Sequence, residues 1–530
     1  MKLLLSVLAL AVFLPSLEAQ PAPEWTRGAT CYEIFVRSFR DSDGDGIGDL
    51  KGIIQSLDYL NDGTAESTRD LGVRCLWLMP VMESPSYHGY DVVDYYTIDR
   101  DYGTNADFKQ LVAEAHRRGI RILVDMVPNH VSSQHPWFQS ALRDPASPYR
   151  SWFRFSPEKG PLNRWGGNNW HKSPVRSEYY YGFFWQGMPD LNYETPAVLD
   201  EMRRVATFWL TEMGVDGFRL DAVKFLVEEG ARADDTPGTH RVLSQYAAHV
   251  RQVRPAGYTI GEVFDSTGAL FSYYPDQLDG YFAFEIADSL IAAVRNRSAR
   301  GLLAPVLRLQ DRLPAWRWSP FLRNHDQPRT VTELGGDLGG ARLAAVLQLT
   351  LPGLPFVYYG EELGMAGPKP DERIRTPMAW TLLGPHAGFS RGTPWQALGG
   401  DSLTANVAAQ DKDPGSLLAL YRRLIHLRAA HPALAEGRLV PLESSNDAVV
   451  AFARRQGERV VLVVANLGRT ASRVRLRSAT ALLNQRSYEV EDLLSGAKAE
   501  SITVDSGGML RDWSPVLAGR KAYLFETRER

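Results

Sequence analysis

Along most of this chain, short apolar runs of strand length alternate with longer stretches whose apolar residues recur at helical spacing. The short runs are "CYEIFV" (31–36), "VRCLWLM" (73–79), "IRILVDM" (120–126), "VDGFRL" (215–220), "YTIGEV" (258–263), "GYFAFE" (280–285), "SPFLRN" (319–324) and "PFVYYG" (355–360). Between them, "NADFKQLVAEAHRRG" (105–119), stopped by Gly119, and "AVLDEMRRVATFWLTEMG" (197–214) read as helices. Strands that alternate with helices predict a parallel sheet, and eight of them suffice to close a barrel. The fold class is therefore α/β, a (β/α)8 TIM barrel.

Two stretches break the alternation. After the third strand, residues 131–187 form an excursion crowded with aromatics: "HPWF", "RSWFRF", "NRWGGNNW", "SEYYYGFFWQ". A connection this long is a functional loop or a subdomain; its aromatics are divided between a small core and stacking on sugar rings. After "LYRRLIHLRAAHPAL" (420–434), a last barrel helix, alternating strands take over, with a hairpin turn near Gly457 and "KAYLFE" close to the end. The barrel thus occupies 20–130 and 188–434, the insert 131–187, and a C-terminal antiparallel β-sandwich 435–530.

The first residues, "MKLLLSVLALAVFLPSLEAQPAPEW", have an early lysine, an apolar run from Leu3 to Leu14 and a small residue at Ala19. That is the layout of a signal peptide, 1–19, and the run is shorter than the ~20 residues a membrane anchor needs. The expectation is an exported protein, periplasmic or extracellular. Composition adds exclusions: 59 Lys+Arg against 62 Asp+Glu leave a net charge of −3, so there is no basic footprint for nucleic acid and no polybasic membrane patch. A monomer is expected. The two cysteines, Cys31 and Cys75, both lie in apolar strand-like runs and read as buried, inert thiols.

The candidate chemistry gathers at the strand ends, where barrel enzymes carry their working residues. "DMVPNH" ends strand 3 with Asp125, Asn129 and His130; "GFRLDAVKF" ends strand 4; "GEV" ends strand 5 with Glu262; "RNHDQ" ends strand 7 with His325 and Asp326. "YHGYD" after strand 2 adds His88, Tyr90 and Asp91. Residues two apart on a strand face the same way, so Arg219 and Asp221 point together toward the barrel axis. A fixed positive charge there is expected to hold Asp221 ionised, as a nucleophile requires, while apolar neighbours keep Glu262 protonated, as a general acid requires. Two carboxyls of unequal proton affinity are the apparatus for glycoside cleavage. No G-x-S-x-G, H-E-x-x-H or phosphate-cradling glycine loop is present.

In order and position, "DMVPNH", "GFRLDAVKF", "GEVF" and "FLRNHDQ" resemble the four signature regions of the α-amylase superfamily of glycoside hydrolases. The resemblance covers nearly the whole mature chain and makes the insert that family's domain B. It implies Asp221 as nucleophile, Glu262 as acid and then base, and Asp326 as the carboxylate gripping the distorted sugar. It further implies that Arg219 orients Asp221, that His130 and His325 bond the sugar at the cleavage point, that Tyr90 stacks on it, and that Lys224 reaches the next sugar. The outcome is retaining, which puts the two acting carboxyls roughly 5 Å apart.

"DSDGDGIGD" (41–49) places oxygen ligands at alternate positions around glycines, which suits calcium. Asp41, Asp43, Asp45 and the Ile47 carbonyl follow the helix–loop–helix calcium pattern, but its twelfth position holds Gly52 instead of glutamate. With Asp49, the stretch resembles the metal loop of oligoglucosidase-like members. A second Ca2+ between barrel and insert, through Asn129 and Asp190 with the Phe225 carbonyl, is implied by resemblance to the amylase site.

Within the family, Lys224 and "GEVF" resemble α-amylases, while Asp91 in "HGYD" and "IRTPMAW" (374–380) resemble the oligo-1,6-glucosidase and trehalose synthase branch. "MPDLN" (188–192) resembles an intermediate group. Cleavage of internal α-1,4 bonds of starch-like glucans and maltooligosaccharides is expected, with an exo-acting α-glucosidase or a transglycosylase as the alternative. A non-catalytic carbohydrate-binding or transporter-associated relative is the remote one; the retained carboxylates oppose it.

Overall fold

The computed structural model describes residues 22–163, 166–382 and 384–529; the expected signal segment lies outside these. All eight apolar runs contribute a parallel strand: β1 (Cys31–Ile34), β2 (Cys75–Leu78), β3 (Arg121–Met126), β4 (Gly217–Leu220), β5 (Tyr258–Gly261), β6 (Gly280–Phe282), β7 (Trp318–Ser319) and β8 (Phe356–Tyr358). They pair in the order β7-β6-β5-β4-β3-β2-β1-β8. Two hydrogen bonds, from Leu354 N to the Trp318 carbonyl (3.0 Å) and from Phe356 N to the Pro320 carbonyl (3.1 Å), close the ring between β7 and β8.

Most strands are shorter than their apolar runs, for local reasons. In "GYFAFE" the strand stops at Phe282 because the helix Phe284–Asn296 has already begun, with Glu285 in its first turn. In "SPFLRN" only Ser319 remains in β7, because Pro320 has no N–H to continue the ladder. The helix Asn105–Arg117 starts at a capping box, Thr104 with Asp107, and the chain leaves it through Gly119 at φ +73°.

Cys31 and Cys75 correct the expectation of inert thiols. Their sulfurs form a disulfide. β1 and β2 are neighbours in a register that sets Cys31 opposite Cys75, with Cα atoms 4.4 Å apart, inside the range a disulfide spans. That register is a tertiary fact, invisible between residues 44 positions apart.

Between β3 and β4 the insert folds a helix, Pro136–Arg143, and a three-stranded sheet from Phe155–Ser156, Tyr179–Tyr181 and Trp170–Lys172. Phe138, Trp152, Phe153 and Tyr180 are buried together in it. Past the helices Leu417–Ala430 and Pro432–Glu436, the chain forms a seven-stranded antiparallel sheet and a two-stranded one. The hairpin Val449–Gln456/Arg459–Asn466 turns at Gly457, φ +60°. Buried Arg454 docks this sheet on the barrel, donating to the carbonyls of Gly437 (2.9 Å) and Thr350 (2.5 Å).

Candidate active site

The barrel axis at the strand C-termini is organised by one cation. Arg219 on β4 is fully buried and stands in register with Asp125 on β3 and Ile260 on β5. Its Nη1 donates to both Asp125 oxygens (2.9 and 3.1 Å) and to Asp221 Oδ1 (2.6 Å); its Nη2 donates to Glu262 Oε2 (2.8 Å). The Trp77 ring lies 5.0 Å from the guanidinium carbon. A buried charge is tolerable only when paired and hydrogen-bonded; here three carboxylates from three adjacent strands pair with its two terminal nitrogens, while the buried Nε has no hydrogen-bond partner.

That sharing alters the expected proton affinities. Burial pushes Asp221 up to about 6 even though Arg219 pulls it down, so it is not held low as the sequence suggested. The reason is burial first, and then Asp125, which shares Arg219 and adds a repulsive charge beside Asp221. Burial pushes Glu262 further, to about 7, with Arg219 opposing and Asp221 and Asp326 adding to the rise. Glu262 remains the more basic carboxyl, by a narrower margin.

Asp326 is the opposite case. Burial would raise it, but His325, Arg375 and Arg219 together hold it well below the usual carboxylate range. Its Oδ1 accepts from Arg375 at 3.0 Å and its Oδ2 lies 3.2 Å from His325 Nε2. His325 is itself charged: burial favours the neutral ring, yet Asp326 and Glu33 outweigh it and push it up to about 10. Its Nδ1 sits 2.5 Å from Glu33 Oε1 and its Nε2 2.7 Å from the Tyr90 hydroxyl.

A cavity of about 780 Å³ opens above these groups, with Asp221, Glu262 and Asp326 on its floor and Tyr90, His130 and Lys224 on its walls. Tyr90 stacks on His325 at an interplanar angle of 16° and donates its hydroxyl to Asp125 (2.9 Å). His130, buried and kept neutral with its pKa lowered to about 3, has Nε2 3.1 Å from the Tyr90 carbonyl and Nδ1 3.0 Å from Asn129 Oδ1. Lys224 is held by Asp265 at 2.7 Å. Neither His325, expected to bond the sugar, nor Asp91 lines this cavity. His325 is fully buried with both ring nitrogens on protein partners, and Asp91 is buried with its Oδ1 accepting from Ser84 (2.9 Å) and from Ser86.

Further residues form the wall and its support, and some of them, Glu33 and Asp371 among them, the sequence did not mark as functional. Phe184, Trp185 and Phe225, from the insert and the turn after β4, and Phe264, two residues after Glu262, line the cavity, as do Asp371 and Arg375. Glu33 and Asp125 carry the support. Both had a sequence signal of the kind Arg219 gave, a charge inside an apolar strand. Of the insert's aromatics, Phe184 and Trp185 stand half exposed on the cleft, while Trp152 and Phe153 lie in its core.

The two expected metal sites differ. Asp41, Asp43 and Asp49 bring one carboxylate oxygen each to within 4.8 Å of one another. Gly44 and Gly46 take left-handed φ of +94° and +96° to allow the wrap, and a Cβ on Gly46 would meet the Thr393 carbonyl at 1.9 Å. Asp45 stands apart: it is exposed, and its carboxylate accepts from Ile47 N at 2.7 Å. This loop fits a small hard cation. At the other site, Asn129 donates to the Phe225 carbonyl at 2.6 Å. Asp190 is buried, accepts from Phe183 N at 2.9 Å, and is pushed well up by burial and by Glu228. A Glu228 oxygen nearby is buried without a hydrogen bond. Two buried acids, one of them raised by the other, also fit a cation.

Four strand-end segments now converge on one cavity around Arg219, and residues 33–437 match the family described as "Alpha amylase, catalytic domain". The chain belongs to the α-amylase family. It is 38% identical over 473 residues to "Alpha-amylase 3" of Dictyoglomus thermophilum, covering 88% of this chain and 90% of that one. It is 35% identical over 518 residues to "Trehalose synthase/amylase TreS" of Mycobacterium tuberculosis, with 86% and 84% covered. Among solved structures, the α-amylase from H. orenii superposes with a TM-score of 0.76 at 39% identity, over 94% of this chain and 99% of that one. The family makes this protein a glycoside hydrolase with a carbohydrate substrate.

Proposed function

We propose that the protein cleaves internal α-1,4-glucosidic bonds of starch-like glucans and maltooligosaccharides by double displacement. The observation that carries this is Arg219 holding Asp221 and Glu262 on its two terminal nitrogens beneath an open cleft. Arg219 occupies Asp221 Oδ1, so Oδ2 attacks the anomeric carbon. Oε2 of Glu262 is likewise taken, by Arg219 and by Ala222 N (3.3 Å), so Oε1 carries the proton to the departing glycosidic oxygen. The bond from C1 to that oxygen breaks as the ester to Asp221 forms. Glu262, now ionised, takes a proton from water; the hydroxide oxygen bonds C1, Asp221 leaves, and the anomeric configuration is retained. Asp326, ionised at all working pH, grips the hydroxyls of the distorted sugar. Lys224 and the cleft aromatics position the chain on either side.

A second reading is favoured by Arg375, which stands on the cleft wall tied to Asp326 (3.0 Å) and Asp371 (3.2 Å) and belongs to the oligoglucosidase-like "IRTPMAW". That reading is an exo-acting α-glucosidase or a transglycosylase. Chromatography of the earliest products from maltoheptaose separates the two: mixed maltooligosaccharides support internal cleavage, and glucose as the sole first product overturns it.

Calcium is proposed at Asp41, Asp43 and Asp49, and at Asn129 and Asp190 with the Phe225 carbonyl. Bound there, it would supply structural cross-linking of the loop after β1 and of the insert to the barrel. Export is proposed from the leader-like first residues and supported by the Cys31–Cys75 disulfide, which persists in oxidising compartments.

A further inference from the structure

The seam between the barrel and the C-terminal sheet holds another cavity, of about 270 Å³, which shares no lining residue with the active site. The helix Leu338–Thr350, the helix Leu417–Ala430 and the start of the strand Lys521–Glu529 wall it. Each brings positive charge: Arg342 from the first helix, Arg423 from the second, and Arg520 and Lys521 where the strand begins.

These cations are poorly matched by acids. Arg520 pairs with Asp337. Asp492, the one acid on the cavity wall, is buried and engaged: its Oδ1 accepts from Leu494 N (3.3 Å) and Leu524 N (3.0 Å), and its Oδ2 from the Ser495 hydroxyl. Among the described residues, no carboxylate is in ion-pair contact with Arg342, Arg423 or Lys521. Arg342 instead donates one terminal nitrogen to the carbonyls of Gly415 (3.0 Å) and Ser416 (2.9 Å), which leaves its other one for a ligand. Burial lowers its pKa against the pull of Asp413, as happens to a cation short of counter-charge. A single surface arginine is ordinary. Four cations from three elements around one concavity are not, in a chain whose net charge is −3. Leu343, Val346 and Leu420 line the space between them, and apolar walls strengthen the pull of such charges on an anion.

We infer that this cavity is a binding site for a doubly charged tetrahedral oxyanion, sulfate or phosphate, either free in solution or carried as an ester on a polymer. Asp337 and Asp492 offset two of the four positive charges, and a dianion offsets the other two. The guanidinium forks of Arg342 and Arg423 match the spacing of oxyanion oxygens, while Lys521 adds a point charge. A bound dianion joins residues of the barrel to residues of the C-terminal sheet, so it ties the two units together. The inference is independent of which glycosidic bond the active site cleaves.

The test melts the full-length protein in sodium sulfate and in sodium chloride at matched ionic strength, beside Arg423→Glu, Lys521→Glu and the milder Arg423→Gln. Both positions are exposed, and circular dichroism with the melts in chloride checks that the variants fold. Sulfate stabilises folded proteins generally by exclusion from their surfaces, and that part is common to all of them. A bound ion adds a shift that follows its occupancy of the site. This added shift is expected in the parent, cut by at least half in the two Glu variants and by less in Arg423→Gln. Retention on immobilised dextran sulfate, with neutral dextran as the control, separates the two sources. Variants that leave the sulfated resin at lower salt than the parent, and the neutral resin alike, make polymer-borne esters the ligand; variants that differ from the parent in the melts alone make it the free ion. Folded variants that match the parent in both measurements overturn the inference. So does parent retention on immobilised polyglutamate as strong as on dextran sulfate, which would make the seam a general contact for acidic polypeptides.

Discussion

Nη2 of Arg219 lies 2.8 Å from Oε2 of Glu262, so the cation placed on β4 beside the proposed nucleophile also holds the proposed acid. One side chain thereby fixes the spacing of both reacting groups. A lysine keeps the charge but cannot present two nitrogens in a rigid fork.

Arg219→Lys is therefore expected to lower kcat by about 10²–10³, the loss typical of a removed preorganised donor, with a smaller change in KM. Arg219→Met leaves three carboxylates without their cation and is expected to cost ~3–5 kcal/mol of stability. Steady-state kinetics and denaturant melts check the pair; a Lys variant with parental kcat rejects the shared-fork role.

The pH profile follows from the two raised carboxyls. In the proposed mechanism Asp221, pushed up to about 6, must be ionised, and Glu262, pushed up to about 7, must be protonated. A narrow bell in kcat/KM is expected, with its maximum between those values and limbs that belong to the coupled pair. Rates flat from pH 4 to 9 would contradict this.

Stability carries the opposite sign from the usual carboxylate. Glu262 has a folded-state pKa above its unfolded one, so its contribution to stability is complete below about pH 4.3 and is lost as pH rises through 7. Glu262→Gln should accordingly raise the melting temperature more at pH 8 than at pH 5. The same variant should lose about 10²–10⁴ in rate on sugars with poor leaving groups and far less on activated aryl glucosides.

Chelation tests the acidic loop. Calcium is expected to raise the melting temperature and EDTA to lower it, as for any ligand that binds only the folded state. Asp43→Asn should weaken the calcium-dependent shift while leaving the hydrogen bonds of Asp41 to Gly44, Gly46 and Ser390 in place. A melt indifferent to calcium and to EDTA removes the metal from this loop.

The disulfide predicts a chemical result. Denatured, unreduced protein should show no reactive thiol, and two after reduction. Closing a loop of 44 residues is worth about 4 kcal/mol by chain entropy, so Cys31→Ser with Cys75→Ser should melt lower by a readily measured margin. Two free thiols in material purified from an oxidising compartment would reject the pairing.

How far the sequence reached is clearest at Arg219. Its burial, its direction and its partnership with Asp221 followed from strand periodicity and from charge placed in an apolar run. The order of strands and helices, the insert, the antiparallel C-terminal strands and the three central carboxyls followed likewise, because each depends on local pattern or on strand-end position. What stayed hidden depended on neighbours across the sheet. Asp125 and Glu262 meet Arg219 only through the register of β3, β4 and β5; Glu33 meets His325 only because the ring closes; Cys31 meets Cys75 only because β1 lies beside β2. Asp221 was expected low because its one visible partner was a cation, and it is high because burial and a second acid are long-range properties. Local pattern thus determined which residues stand at the barrel mouth, and the tertiary structure alone decided how one guanidinium is divided among them, since electrostatic energy depends on every charge within a few ångströms, wherever it lies in the chain.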